Sequence, residues 1–149
     1  MRLWHYKLIP FLPRQQLLGQ HRECCALRGL GWGKKHSTVD YVFKYSIHKL
    51  FTYHSEIMFE MMRRGYEIKN PRWLTYYYRG KKLNYDLSTN VILPEDGIYP
   101  EHNDNYLSEC LHNLKYKKVK NKIKNIDLFM HFNFIKDKGE KYEKIYNSF

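Results

Sequence analysis

The sequence has few of the features that mark secreted, membrane or disulfide-bonded proteins. No apolar run approaches the roughly 18 residues of a membrane span, and the N-terminus lacks the continuous apolar segment of a signal peptide. The three cysteines do not make a disulfide framework, because the adjacent pair Cys24 and Cys25 would point about 100° apart on a helix. We therefore expect a soluble, cytoplasmic protein whose thiols are reduced and buried.

Signatures of common catalytic and cofactor sites are also missing. The chain contains no Gly-rich phosphate loop, no HExxH and no GxSxG. The sequence offers two groups of potential zinc ligands: His21 with Cys24 and Cys25, and Cys110 with His112. Neither group has a convincing second set of ligands that would complete a four-coordinate site. Adjacent cysteines also fit poorly around one tetrahedral ion. We predict no metal and no cofactor.

The chain has a formal net charge of +11, and its charged residues are unevenly distributed along the sequence. Residues 1–36 carry seven Lys or Arg against Glu23 alone, whereas residues 86–109 carry six acids and no Lys or Arg. The last 35 residues carry ten Lys against four acids. A basic first third suggests a polyanionic partner, because neutralising phosphates drives nucleic-acid affinity. Ordinary solubility charge is the alternative, above all for the Lys-rich tail.

The first 36 residues predict an extended start, a helix and a loop. Prolines limit helix in residues 1–12, and Pro13 suits the first turn of a helix that should run to about Leu27. Residues 29–35 then hold three glycines within five positions, which indicates a loop.

A longer second helix is predicted by apolar residues that recur at helical spacing over residues 43–62. Ser37 or Thr38 can cap it, and Gly65 can end it. His54 lies on its apolar stripe, where a hydrogen-bonded core histidine is the expected role.

The remaining chain predicts one more helix and much irregular structure. Asp104 should cap a third helix over residues 105–115, while residues 71–100 should be irregular. The expected fold is mainly α, a compact three-helix single domain with long irregular loops and a Lys-rich C-terminal extension. The domain should comprise residues 1–115, and residues 116–149 should form a basic extension that is partly ordered at best.

One carboxylate stands out on the first helix. Helical geometry puts Glu23 one turn after Gly19, beside Arg22 and near Gln16 and Gln20. The opposite side of this helix carries the residues expected in the core: Leu17, Leu18, His21, Cys24 and Cys25. A carboxylate over a glycine notch, next to an arginine, would let a polyanion come close to an acid.

The α-amine is a second reactive group in the same region. Its ordinary pKa of roughly 7.7–8.0, against about 10.4 for lysine, leaves a tenth or more of it neutral near pH 7. Arg2 and Arg22 would lower that pKa further by charge repulsion. A penultimate arginine is too bulky for the usual removal of the initiator residue, so we expect the amine to belong to Met1. Held near an acid, it would be a nucleophile for imine chemistry.

Four segments of the sequence resemble the pyrimidine-dimer DNA glycosylases of the phage endonuclease V type. They are MRLWH at the N-terminus, LLGQHRECCAL around Glu23, HSEIMFEMMRRGYEI in the second helix, and IYPEHNDNYLSECLHNL further on. The resemblance covers roughly residues 1–115. It implies a small, mainly α-helical domain that bends duplex DNA, flips a base opposite the lesion and attacks the sugar C1′ with its N-terminal amine.

Position by position, the resemblance implies roles for four residues. The Met1 amine would be the nucleophile. Glu23 would stabilise the positive sugar or imine and move protons during base loss and strand β-elimination. Arg2 and Arg22 would hold phosphates beside the lesion.

Three further cations are candidates for DNA contacts. Arg28 can replace an arginine that the family carries where this chain has Ala26. Lys34 and Lys35 fall at the predicted start of the second helix, where backbone N–H groups also attract anions.

Three functions are compatible with these features. The leading hypothesis is a DNA-repair glycosylase with AP-lyase activity on damaged duplex DNA, acting as a monomer. The second is a nucleic-acid-binding module of the same fold without catalysis. The third is a structural interaction protein in which Glu23 only pairs with Arg22.

Overall fold

The computed structural model describes residues 2–75, 78–82 and 99–120, with side chains up to residue 115. This part of the chain contains three α-helices, α1 (Arg14–Arg28), α2 (Ile47–Arg63) and α3 (Asp104–Lys120), and no strand. Short 3-10 helices lie at Tyr6–Phe11, Asp40–Lys44 and Pro71–Leu74. The prediction of a mainly helical fold with three α-helices is confirmed. None of the helices described is long and apolar enough to cross a membrane.

The described residues fall into two compact units. The first consists of residues 2–3, 14–75, 78–82 and 99–100, and the second of residues 4–13 and 101–120. Predictions about Met1, about most of the loop before residue 99 and about the tail beyond residue 120 lie outside the described residues. The backbone of α3 continues past the predicted end of the domain at residue 115.

Helix α1 agrees with its predicted bounds to within one residue. It starts directly after Pro13, whose fixed φ angle suits a helix start. At its other end the Gly31 N–H donates to the Ala26 carbonyl over 2.9 Å. A Cβ atom at Gly31 would lie 2.7 Å from that carbonyl oxygen, so only glycine permits this close approach.

Helix α2 begins later than predicted, and neither Ser37 nor Thr38 caps it. The cap is Ser46, whose side chain accepts a hydrogen bond from the His48 N–H over 3.3 Å. The apolar spacing begins earlier because residues 40–44 form a separate 3-10 helix. Tyr45 then adopts an extended conformation, with φ −113° and ψ 167°, which interrupts the helical path.

The predicted end of α2 at Gly65 is confirmed. Gly65 has a φ of +86°, and its N–H donates to the Met62 carbonyl over 2.9 Å. The following N–H, from Tyr66, donates to the Met61 carbonyl over 2.9 Å. This pair of bonds is a Schellman motif, in which glycine takes the left-handed position without steric cost.

Helices α1 and α2 pack against each other and bury several polar side chains among apolar ones. The buried residues of α2 are Leu50, Phe51, Tyr53, His54, Ile57, Met58, Glu60 and Met61. Those of α1 are Leu17, Gln20, Cys24, Leu27 and Arg28. Buried amide, imidazole and guanidinium groups require hydrogen-bond partners. This interface therefore contains hydrogen-bonded polar clusters as well as an apolar core.

The second unit also differs from two predictions. The chain start is a 3-10 helix at Tyr6–Phe11 and not an extended segment, because i to i+3 bonds tolerate the proline within it. The third helix is capped by Asn103, one residue before the predicted Asp104. The Asn103 Oδ1 accepts a hydrogen bond from the Tyr106 N–H over 2.9 Å.

Two buried histidines are neutral in this unit. The Nδ1 of His102 accepts from the Tyr6 N–H over 3.2 Å, and the Nδ1 of His5 accepts from the Lys7 N–H over 3.1 Å. Burial lowers the pKa of His5 to about 4 and the pKa of His102 to about 3. Both rings therefore resist protonation well below neutral pH.

Candidate active site

The middle turn of α1 joins Glu23 to the start of the chain. Glu23 is half-buried, and Gln20 one turn before it is only 1% exposed. The Gln20 Nε2 donates to the Glu23 Oε2 over 2.8 Å and to the backbone carbonyl of Arg2 over 3.0 Å. One amide nitrogen therefore bonds both the carboxylate and the backbone at residue 2.

The orientation of this amide is fixed from the second helix. The hydroxyl of Tyr53, a fully buried residue, donates to the Gln20 Oε1 over 2.9 Å. The opposite amide orientation would turn Oε1 toward a carboxylate and a carbonyl, which both accept hydrogen bonds. Chemistry thus selects the arrangement in which the nitrogen faces Glu23 and the oxygen faces Tyr53.

Arg22 lies beside this cluster on the surface. Its side chain is exposed, and its Nη2 lies 3.7 Å from the position that a Cβ atom on Gly19 would occupy. The structure therefore brings together Arg2, Gln20 and Glu23, with Arg22 next to the predicted glycine notch. Met1, the predicted nucleophile, lies outside the described residues.

Arg28 does not have the position that its predicted DNA contact requires. Its residue is 1% exposed, and its two terminal nitrogens donate inward. Nη1 donates to the His54 Nδ1 over 3.0 Å and to the Trp73 carbonyl over 2.7 Å. Nη2 donates to the carbonyls of Thr75 and Tyr78, over 2.9 Å each. The prediction that Arg28 binds DNA is wrong, because its guanidinium is enclosed by the protein's own acceptors.

Lys34 and Lys35 are exposed but not at a helix start. They follow the turn that ends α1, and α2 begins only at Ile47. The expected contribution of helix backbone donors to anion binding at these lysines is therefore wrong. Whether their side chains contact DNA stays a prediction.

One group of side chains in the described residues has the composition of a metal site. His21, Cys25 and His54 place one ligand atom each within 4.8 Å of one another. The His21 Nδ1 and His54 Nε2 are only 2.8 Å apart, a hydrogen-bond distance. Two nitrogens on a tetrahedral zinc ion would be about 3.4 Å apart. The spacing fits a hydrogen bond between the rings better than a shared ion.

Proton positions lead to the same interpretation. Arginine has no acceptor, so Arg28 must donate to the His54 Nδ1. Burial, Arg28 and His21 all lower the pKa of His54, whose neutral ring then carries its proton on Nε2. That proton points to the His21 Nδ1. Metal binding at the His54 Nε2 would move that proton to the His54 Nδ1, where it would face the Arg28 N–H. The expected core role of His54, a hydrogen-bonded histidine, is confirmed.

The cysteines of α1 are poor nucleophiles in this setting. Burial raises the pKa of Cys25 to about 11, and burial also raises the pKa of Cys24 well above its ordinary value. Both are free thiols. At neutral pH both thiols therefore remain protonated.

Comparison with known proteins identifies the family of the first half of the chain. A family model described as pyrimidine dimer DNA glycosylase matches residues 1–74. Residues 1–74 belong to this family. No curated protein and no solved structure matches the chain. The matched region contains Arg2, Gln20, Glu23 and Tyr53, and it ends before α3.

Sequence reasoning missed the part of this candidate site that comes from α2. Gln20 was placed near Glu23 by its spacing of three residues, but its burial was not foreseen. Tyr53 is one of 14 tyrosines, and nothing in the sequence marks it as a partner of Gln20. Only the packing of α1 on α2 brings the hydroxyl and the amide together.

Proposed function

We propose that the protein is a DNA glycosylase with AP-lyase activity on damaged duplex DNA, with pyrimidine dimers or related lesions as substrate. The family match over residues 1–74 supports the glycosylase class and a DNA substrate. The observation that carries the proposed mechanism is the bond from one Gln20 nitrogen to both Arg2 and Glu23. Because residue 2 and Glu23 share that nitrogen, we propose that the α-amine of Met1 acts together with Glu23 at one sugar.

The proposed chemistry uses the α-amine and Glu23 in turn. The neutral amine attacks C1′, the bond from C1′ to the base breaks, and its electron pair leaves with the base. Loss of the amine proton and opening of the sugar ring give an imine. Removal of a proton from C2′ then expels the 3′ phosphate oxygen. Glu23 stabilises the positive charge at C1′ and transfers protons between these steps.

We expect the favourable free energy of phosphate binding to offset the free-energy cost of flipping a nucleotide out of the duplex. A flipped nucleotide costs a few kcal/mol, least where the DNA is damaged. The Arg2 backbone shares the Gln20 nitrogen with Glu23, and Arg22 directly precedes Glu23 in the chain. We propose that the side chains of these two arginines hold phosphates next to the reacting sugar. Lys34 and Lys35 are exposed and can extend this basic surface. We propose that the protein acts on DNA as a cytoplasmic monomer without a cofactor.

Borohydride trapping tests the covalent step directly. Wild-type protein incubated with abasic-site duplex and borohydride should form a reduced covalent adduct, and peptide mass spectrometry should map it to Met1. A variant with residues added before Met1 should lose both the adduct and strand cleavage. An extended variant that still cleaves would contradict the terminal-amine mechanism.

Substitution of Glu23 separates catalysis from binding. Glu23→Gln keeps the shape of the side chain and should abolish strand cleavage while abasic DNA still binds. Glu56→Gln, on the exposed face of α2, is the matched control and should cleave normally. Unchanged cleavage by Glu23→Gln would remove Glu23 from the mechanism. DNA binding by the wild type without any adduct would favour the alternative, a non-catalytic nucleic-acid-binding module.

A further inference from the structure

We infer that Gln20, held by Tyr53, is a positioning residue that sets the separation between Glu23 and the start of the chain. The inference rests on the proposed function. Gln20 forms no bond with the reacting atoms and acts through the two groups that it holds, the Glu23 carboxylate and the Arg2 carbonyl.

The hydrogen bonds of Gln20 define its geometry from three sides. The two N–H groups of Nε2 serve Glu23 and the Arg2 carbonyl, and Oε1 accepts from Tyr53. The side chain is 1% exposed, so water does not compete for these bonds. A surface glutamine samples many rotamers, whereas this one is held by contacts with two helices and the N-terminal segment.

The chemical type of the side chain suits this role. A carboxamide joins two acceptors without adding a charge. A lysine or arginine at this position would neutralise Glu23 and repel the nearby α-amine, and a carboxylate would repel Glu23 across 2.8 Å. Gln20 therefore holds Glu23 in place while leaving its negative charge for the sugar cation and the imine.

Position matters here because the proposed reaction requires an amine and an acid at one sugar carbon. Misplacement of a reacting group by about 1 Å can cost on the order of 100-fold in rate. Without the amide, residue 2 and Glu23 would lose the hydrogen bonds that join both of them to one atom. We therefore expect the effect of losing Gln20 in the chemical step and not in DNA affinity.

The main test replaces Gln20 by methionine, which has similar length and no hydrogen-bonding amide. Single-turnover cleavage of abasic-site duplex at saturating protein should slow by about 10- to 100-fold. The Kd for the same duplex, measured by anisotropy, should stay within about threefold. Gln15→Met, at an exposed position of α1, is the matched control and should cleave at the wild-type rate.

A pH profile separates positioning from a purely structural role. Gln20→Glu puts a second carboxylate beside Glu23, and repulsion between the two raises the pH at which Glu23 ionises. The acid limb of the single-turnover pH–rate profile should therefore move to higher pH by about one unit. Gln20→Met should slow the reaction without moving that limb.

Tyr53→Phe tests the anchor on α2 and provides a variant that keeps the aromatic core. It removes only the hydroxyl, so the amide can rotate, and the rate should fall by less than in Gln20→Met. If Gln20→Met does not fold, as judged by circular dichroism, the rate of Tyr53→Phe and the pH profile of Gln20→Glu decide the question.

Two different results would overturn the two claims. If the wild type forms no adduct and Glu23→Gln still cleaves, the proposed function fails. If the wild type forms the adduct and Glu23→Gln is inactive, the proposed function stands. In that case, wild-type rates for Gln20→Met and Tyr53→Phe, with an unmoved acid limb for Gln20→Glu, would overturn the positioning role of Gln20 alone.

Discussion

The middle and last turns of α1 each bury a polar cluster against α2, but they treat charge in opposite ways. In the middle turn the buried groups, Gln20 and Tyr53, are neutral, and the charged Glu23 remains half-buried at the edge. In the last turn the charged Arg28 is itself 1% exposed and is surrounded by neutral acceptors. The first arrangement keeps a carboxylate available for chemistry. The second uses a cation to bond the carbonyls of Trp73, Thr75 and Tyr78.

Removing Arg28 is the most severe way to break the last-turn cluster. Arg28→Met should lower the free energy of unfolding by about 3–5 kcal/mol, because one imidazole and three carbonyls lose their buried donor. Urea denaturation measures the loss. Arg22→Met, an exposed arginine on the same helix, should change stability by less than about 0.5 kcal/mol. Equal stabilities for the two variants would contradict the structural role of Arg28.

The glycines of the two regions should respond oppositely to alanine. Gly31→Ala should destabilise by about 1–3 kcal/mol, since its Cβ atom would lie 2.7 Å from the Ala26 carbonyl oxygen. Gly19→Ala should stabilise by up to about 1 kcal/mol, because helix propensity rises and the nearest atom, on Arg22, is 3.7 Å away. Thermal unfolding of both variants checks the signs. A stabilised Gly31→Ala would be incompatible with the described end of α1.

Acid should destabilise the last-turn cluster and leave the middle turn's neutral pair unaffected. His54 has a lowered pKa, so below about pH 6.5 the unfolded chain binds a proton that the folded chain refuses. Stability should fall as pH falls, by at most about 1.4 kcal/mol per pH unit for each such histidine. His5 and His102 add losses of the same sign down to about pH 4 and pH 3.

Urea denaturation between pH 7 and pH 5 measures this dependence. His54→Gln retains an acceptor for Arg28 and should flatten the slope, whereas the exposed His36→Gln should not. Identical slopes in the wild type and His54→Gln would show that folding does not lower the pKa of His54.

The smallest expected effect is that of removing the exposed Arg22. Arg22→Met should reduce the slope of log K against log salt for abasic duplex by about 0.9, the value for one lost phosphate contact. Arg63→Met is the control, because Arg63 pairs with Glu60 at the end of α2. An unchanged slope for Arg22→Met would exclude a phosphate contact at this residue.

The sequence was sufficient for features that depend on short spacing along a helix. The placement of Gly19, Arg22 and Glu23 on neighbouring turns follows from helical geometry, as does the end of α2 at Gly65. Burial of Arg28 could not be predicted in this way, because its acceptors lie 26 to 50 residues away along the chain. Arg22 and Arg28 have the same chemistry, and only the packing of distant segments distinguishes a surface cation from an internal one.

The start of α2 shows a second limit of sequence patterns. Apolar residues at helical spacing do not reveal that two non-helical residues, Tyr45 and Ser46, divide one run into a 3-10 helix and an α-helix. The contribution of helix backbone donors that was predicted at Lys34 and Lys35 depended on that boundary, and this contribution alone is wrong.

The nitrogen of Gln20 also has a mechanical consequence. Because Glu23 and the backbone of residue 2 are both bonded to that one atom, a small displacement of Gln20 carries both in the same direction. A shared movement of this kind leaves the distance between Glu23 and residue 2 unchanged. Under the proposed function, Glu23 and the backbone at residue 2 would keep their spacing when Gln20 shifts on DNA binding.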